Sequence, residues 1–446
     1  MSLLERRALL RSSLALPLAG LLPGLAFARG SANPLATPQQ DELEQLSLRL
    51  FDDPAVVAIR QSLRDLLLGD PAFGKAAHHE LIRHNIDSNC FAAVQGVANS
   101  DPARPRLFWT WNPGHRWFGR TMPSSRFAFE NPDNIFRVAP IAPGLSYIVR
   151  GRFHRPLPAT QVFELVDSPP GAPGSRGRSI AVLSRREMAI ADDGSFTVTI
   201  DSNAASGRSN HMQSAPGTTL LIVRDMLNDW ANERACALAI ELVGKPHSQE
   251  KTERELAERC ADIIPGFLQY WLKQKPIFTN QPANSLPAPF VREGGWGFVI
   301  LAHYDLRDDE AFVFTLDRAG AANLGVMQSS PWLGGSRYTD RSGSLNTDQA
   351  VPNRDGTYSY VVSNLDPGVR NWIDTGGVAQ GYILIRWHEL SRKISAAPSA
   401  VRSAEVLPLA HLHMYLPEAE AIAGGQRRRM WAERASAYSA RYLAEV

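Results

Sequence analysis

Asn371, Asp374 and Arg386 stand close together in the C-terminal third of the chain. A carboxylate able to take a proton, beside a guanidinium able to steady a developing oxyanion, is a minimal acid–base pair. Asp374 is therefore the candidate catalytic residue, with Arg386 as its partner. The same group could instead hold a polar part of a ligand, Asn371 and Arg386 donating and Trp372 forming an apolar wall. A structural Arg–carboxylate pair at a sheet rim is the plainer reading. Tyr304, Asn134 and Arg137 complete the expected ligand-binding set. His303, Tyr304 and Asp305 end one strand, and Tyr382, Arg386 and His388 alternate onto one face of another. Each could supply an acid or base, although packing explains each taken alone.

Other chemistries lack their patterns. No Gly-x-Ser-x-Gly elbow is present, and Gly294-Gly295-Trp296-Gly297 neither follows a strand nor opens a helix as a phosphate loop does. His78, His79 and His84 miss the i, i+4 spacing that sets two imidazoles on adjacent turns, and Cys90, Cys236 and Cys260 form no metal-binding spacing. No metal and no cofactor is expected. Cys236 and Cys260 each lie twelve residues from Ser248. A helical hairpin turning there would bring them level, so a disulfide between them is left open.

The elements that must position these residues come in two copies. Asp355-Gly356 opens a strand at Tyr358, a turn-rich run follows through Arg370 and Asn371, and Gly376-Gly377 precedes an apolar strand at Tyr382–Trp387. Asp193-Gly194, Arg208 and Arg224 precede Asp355-Gly356, Arg370 and Arg386 by a constant 162 residues. A constant offset across a strand–turn–strand unit indicates duplication. The first copy keeps Arg224 but has Asn210-His211 for Asn371-Trp372, and Met212 where the offset places Asp374. The unmatched aspartate assigns the site to the second copy.

The expected fold is α+β, mainly β: two tandem antiparallel β-sandwich (jelly-roll-like) modules with helical segments before, between and after them. Residues 1–28 read as a signal peptide, 29–127 as a helical region with an aromatic hairpin at Phe108–Phe118, and 128–227 as the first module. Residues 228–289 read as a helical hairpin with a Pro-rich connector, 290–390 as the second module, and 391–446 as a linker and C-terminal helix. Residues 29–40 read as disordered. The Gly-, Ser- and Asn-rich run 323–351 reads as a long loop, a type that is usually functional.

Arg6-Arg7, the apolar run Leu14–Phe27 and the small residues Ala26 and Ala28 have the layout of a twin-arginine export signal cleaved after Ala28. The run is too short to span a bilayer, and no cysteine follows the cleavage point, so no membrane anchor is expected. The leader carries three Arg and one Glu out of 47 basic and 45 acidic residues, which leaves 44 of each. Neutrality offers no electrostatic case for nucleic acid.

From Trp296 to Leu390 the sequence resembles the bacterial family catalogued as domain of unknown function 1214. The resemblance is carried by Trp296, Tyr304-Asp305, Gly343-Ser344-Leu345, Asp355-Gly356, Asn371-Trp372-Ile373-Asp374 and Arg386-Trp387. Asn131-Pro132-Asp133-Asn134 with Phe136-Arg137 resembles an upstream segment of such relatives. The resemblance implies an antiparallel β-sandwich or jelly-roll-like domain and supplies no catalytic residue. The export signal departs from many of those relatives. Together these readings describe a periplasmic protein that engages the twin-arginine translocase during export. It would bind small organic ligands, hydrophobic ones included, in a cleft between the modules or under residues 323–351. A cofactor-free hydrolase, lyase or isomerase using Asp374, and a structural or partner-binding envelope protein, are the alternatives.

Overall fold

The computed structural model describes residues 33–70, 78–127, 130–169, 177–245, 249–332, 334–335, 337–417 and 419–441. The expected export signal, residues 1–28, lies outside them.

Three helices come first. α1 (Pro38–Phe51) starts on Thr37, whose hydroxyl accepts from the Gln40 N–H at 3.1 Å, and α2 (Pro54–Gly69) starts on Asp53 with proline at its first position. α3 (His79–Ala98) is buried along most of its length. The expected disorder does not extend to Asn33–Thr37, because Leu35 is packed into the helical core. Three short strands follow: β1 (Phe108–Thr110), β2 (His115–Trp117) and β3 (Arg120–Met122). The turn of the expected Phe108–Phe118 hairpin is displaced. β2 pairs with β3 around Phe118-Gly119, both at positive φ, whereas β1 joins the first module by pairing with β4 (Asn134–Pro140).

The first module adds β5 (Tyr147–Arg152), β6 (Thr160–Val166), β7 (Ser179–Ser184), β8 (Ser195–Asp201), β9 (His211–Gln213), β10 (Leu220–Met226) and β11 (Ala237–Leu242). It is a sandwich of two sheets, β1-β4-β10-β6-β7 over β11-β5-β8-β9. Alternation builds it: in β8, Phe196, Val198 and Ile200 face the core while Ser195, Thr197 and Thr199 face away. Then come α4 (Glu253–Leu272), opened by a Thr252–Glu255 capping box, and α5 (Lys275–Thr279). α4 runs unbroken through Pro265, because Ile264, Phe267 and Leu268 anchor it against the N-terminal helices.

The second module holds β12 (Phe290–Val291), β13 (Gly297–Asp305), β14 (Glu310–Leu316), β15 (Asn323–Ser330), β16 (Gly334–Gly335), β17 (Ser344–Asn346), β18 (Tyr358–Ser363), β19 (Trp372–Asp374), β20 (Gln380–His388) and β21 (Val401–Pro408). A short α6 (Leu412–Tyr415) and α7 (Gly424–Ser439) follow. Its sheets are β12-β13-β20-β15-β16, with β17 on β15, and β19-β18-β14-β21.

The duplication extends to the whole topology. β4-β10-β6 repeats as β13-β20-β15, and β11-β5-β8-β9 repeats as β21-β14-β18-β19. Even the unusual parallel pair recurs, β8 with β9 and β18 with β19. Register corrects one detail. Asp201 faces Gln213 and Ser363 faces Asp374, so the counterpart of Asp374 is Gln213 rather than Met212. One residue is missing from the second copy before β19 and regained after it.

Three segments differ from expectation. The first arm of the expected helical hairpin contains β11, which closes a sheet by pairing with β5. The expected loop at 323–351 contains β15, a central strand between β20 and β17. The expected linker after 390 contains β21, an exposed edge strand on β14. All three cysteines are free and buried. Cys236 belongs to the core of the first sandwich and Cys260 to the helical core, so no hairpin aligns them. Among the described residues no helix is long and apolar enough to cross a membrane.

Candidate functional site

The expected Asp374–Arg386 pair does not form. Strand alternation decides this: the inward residues of β20 are Ile383, Ile385 and Trp387, which sends Arg386 to the outer face of its sheet. Asp374 sits on the other sheet, where it accepts the Gly376 N–H at 2.8 Å and lies 3.7 Å from Arg341. Burial raises the Asp374 carboxyl above its ordinary value. Asn371 is spent on backbone, donating to the carbonyls of Val351 (2.7 Å) and Ser359 (3.0 Å). Trp372 donates to the Ser363 carbonyl at 3.1 Å, and Arg427 lies over its ring. Tyr304 is inside the second sandwich, donating to the Val378 carbonyl and accepting from Gln328. Arg137 is inside the first, paired with Asp225 and donating to the Cys236 carbonyl at 2.7 Å. These five residues hold their modules together and line neither lobe of the cleft described next.

Arg386 and Asn134 belong to that cleft, which lies between the two modules. Its walls are the outer face of the β4-β10-β6 sheet, the outer face of the β13-β20 sheet, and the end of α4. One lobe, of about 510 Å³, has Phe278, Phe290, Val299, Leu301 and Leu384 on its apolar side. The other, of about 230 Å³, has Trp111, Phe127, Phe136, Ile222 and Trp296. Glu164, Tyr270, Trp271, Arg292 and Arg386 line both lobes, and Arg224 and His388 line the smaller. An apolar pocket with a few convergent polar groups is the usual form of a small-molecule site.

The polar groups sit where the lobes meet. Arg224 is ion-paired with Glu164, which also accepts the Ser179 hydroxyl. Burial pushes the Glu164 carboxyl up, but Arg224 and Arg292 outweigh it and hold it below the ordinary value. Arg386 donates to the Glu130 carbonyl at 3.0 Å. Burial, then the nearby Arg292 charge, lowers Arg386 to about 9. Burial, then Arg224, lowers Arg292 to about 10. Arg292 lies 4.5 Å over the Trp296 ring, which stacks on His388 at 5.0 Å. His388 is held neutral by burial and by the three guanidinia. Its Nδ1 faces Asn323 Oδ1 at 3.1 Å, and the Asn323 amide nitrogen is fixed by donating to Asp133 and Asn228, so Nδ1 carries the proton.

A second cavity, of about 450 Å³, lies between Ser342–Gln349 and α7. Arginines already cover its tryptophans: Arg434 lies 4.1 Å over Trp230 and Arg341 lies 4.0 Å over Trp431. Among the described residues no group of three or more His, Cys, Asp or Glu is placed to hold a metal ion.

Sequence reasoning missed Glu164 and Arg292. It noted Arg224 as the counterpart of Arg386 but selected the unrepeated Asp374. The signal was the repeated arginine: it occupies one position of one strand in each module, so both guanidinia leave their sandwiches by the outer face.

No family model matches the chain, and no curated protein matches it. An uncharacterized protein from Burkholderia cenocepacia, of known crystal structure, is similar in fold. Its TM-score is 0.66 at 20% identity, over 82% of this chain and 99% of its own. A protein from Vibrio parahaemolyticus aligns with a TM-score of 0.38 at 10% identity, over 62% of this chain and 90% of its own. The Burkholderia likeness supports the mainly β, α+β architecture and nothing finer.

Proposed function

We propose that this is an exported protein that binds a small, partly hydrophobic organic ligand in the cleft between its two modules. The observation that carries the reading is the cleft itself: two joined lobes of about 510 and 230 Å³, aromatic on their walls and polar at their junction. Two features favour binding over structural filling. The walls come from equivalent outer faces of the duplicated sandwiches, and an isolated sandwich would leave those faces to water. The cleft is also lined by Trp111, Trp271 and Trp296, rigid surfaces suited to a flat or ring-bearing ligand. The family resemblance and the twin-arginine signal belong to the same proposal.

Mass spectrometry of small molecules released from the natively exported protein tests the binding. A defined organic compound, lost from a variant in which Leu301 and Leu384 are replaced by Glu, supports the reading. Recovery of the same compounds from the variant overturns it. Replacing Arg6 and Arg7 by Lys tests the export: the precursor should accumulate in the cytoplasm, and normal periplasmic yield would refute the signal assignment.

A further inference from the structure

Three guanidinia, Arg224, Arg292 and Arg386, crowd the junction of the lobes; two carboxylates, Glu164 and Glu293, line the cleft with them, and Asp133 and Glu130, outside its lining, also act on Arg386. Glu164 is committed to Arg224 and the Ser179 hydroxyl, and Glu293, at the exposed rim, accepts the Ser179 N–H. Among the described residues no hydrogen bond or ion pair reaches the side chain of Arg292, and its Nε is buried without an acceptor. Trp296 Nε1, in the smaller lobe, is likewise buried without an acceptor. His388 adds no charge, being neutral, and Arg386 donates to the Glu130 carbonyl. Buried donors without acceptors are rare in finished proteins and mark places where something else binds. Stacking on Trp296 fixes the plane of Arg292 without using its donors, which leaves the fork oriented for a two-oxygen acceptor. Guanidinia stay charged at neutral pH, so their mutual repulsion in a half-dry cleft is relieved by an incoming negative group.

We infer that the ligand is an organic anion. Its carboxylate, sulfonate or phosphate oxygens would sit among Arg224, Arg292 and Arg386, and its apolar body would lie against the aromatic walls of the lobes. The inference rests on the reading of the cleft as a ligand site. The lobes exceed what a bare inorganic ion fills, so the charged group is one end of a larger molecule.

Two fluorescent probes of nearly the same ring skeleton test it: 8-anilinonaphthalene-1-sulfonate and the uncharged N-phenyl-1-naphthylamine. The sulfonate should bind at least about tenfold more tightly. Arg292→Gln should remove about tenfold of sulfonate affinity and leave the neutral probe within about twofold; Arg292→Lys should restore part of the loss. Phe290→Ala, at an exposed position on the larger lobe, should weaken both probes. Circular dichroism verifies that each variant is folded. Equal affinities for the two probes, or sulfonate binding indifferent to Arg292→Gln, overturn the anion inference; if Phe290→Ala still weakens both probes, the cleft as a ligand site survives. If neither probe binds, or Phe290→Ala affects neither, both readings fall.

Discussion

Asp133 is 4% exposed and accepts from Trp230 Nε1 (3.0 Å), Asn346 Nδ2 (2.7 Å) and Asn323 Nδ2 (3.2 Å), side chains drawn from both modules. Its removal strands the Trp230 N–H and leaves Asn323 and Asn346 with their remaining acceptors, Asn228 and the Leu227 and Asn228 carbonyls. A stranded buried donor costs about 1–3 kcal/mol and each lost hydrogen bond about 1 kcal/mol, so Asp133→Ala should destabilise by about 2–4 kcal/mol, read from urea unfolding. A loss below about 1 kcal/mol would mean water replaces the carboxylate. Glu44 gives a prediction in pH. Burial raises its carboxyl to about 7, while hydrogen bonds from Gln40 (2.9 Å) and Trp117 (2.7 Å) pull it down. The folded state therefore holds this proton more tightly than the unfolded chain. Its contribution is full below about 4.5 and is lost as pH rises to about 7. Neighbouring His115, pushed down to about 4 by burial, acts in the opposite sense over an overlapping range and masks the effect in the wild type. Glu44→Gln removes only the glutamate's part. The stability of Glu44→Gln relative to wild type should rise by about 3 kcal/mol between pH 4.5 and 7, and a pH-independent difference would contradict a protonated Glu44. At this scale the sequence displayed a residue that does line the cleft, but with a partner it does not have. Arg386 was visible as a candidate, yet its partner was chosen by proximity in sequence, and only strand alternation separates the two faces.

Gly297 begins β13, and a Cβ added there would meet the Trp387 carbonyl oxygen at 2.2 Å. The obstacle is paired backbone rather than a movable side chain. Gly297→Ala should therefore force β13 from β20 and cost about 1–3 kcal/mol in chemical unfolding; a neutral result would mean the edge of the sheet gives way. β8 was legible because a half-buried strand writes its pattern in residue type, and its fully buried counterpart β18 because an aromatic and β-branched run follows the Asp355-Gly356 turn. β15 was not, for a physical reason. Its polar residues are buried and hydrogen-bonded: Asn323 donates to Asp133, Gln328 to the Tyr304 hydroxyl at 2.7 Å, and Ser329 and Ser330 to the Gly334 carbonyl. Composition reads such a strand as a loop because partners such as Asp133 and Tyr304 come from other segments of the chain. β11 failed differently. Trp230, Ala231, Ala235, Leu238 and Leu242 match a helical period, but Ala237–Leu242 is claimed by the open edge of β5, and tertiary pairing overrides a weak local preference.

The two modules share more than a cleft. Glu389 follows β20 in the second module, and its carboxylate accepts from Thr160 (3.1 Å) and Ser184 (2.6 Å) in the first and pairs with Arg186 at 3.1 Å. Trp296 packs with Val162 and Met226 across the junction, and the helical core takes in Ile135 and Leu227 from one side and Trp332 and Tyr338 from the other. An interface so apolar and so well bonded makes independent opening of either module costly, because opening one would expose the core it shares with the other. It also holds the facing arginine-bearing sheets in place, which would lower the ordering cost of the proposed binding. The prediction belongs to the junction. Glu389→Ala strands the buried hydroxyls of Thr160 and Ser184, while the exposed Arg186 is left to water, and should cost about 2 kcal/mol. Coupled modules would share the loss, so amide hydrogen exchange in β8 and in β18 should accelerate by the same factor, about thirtyfold. Acceleration confined to one of these strands would show that the modules open separately, and the cleft between them would then be a hinge rather than a preformed site.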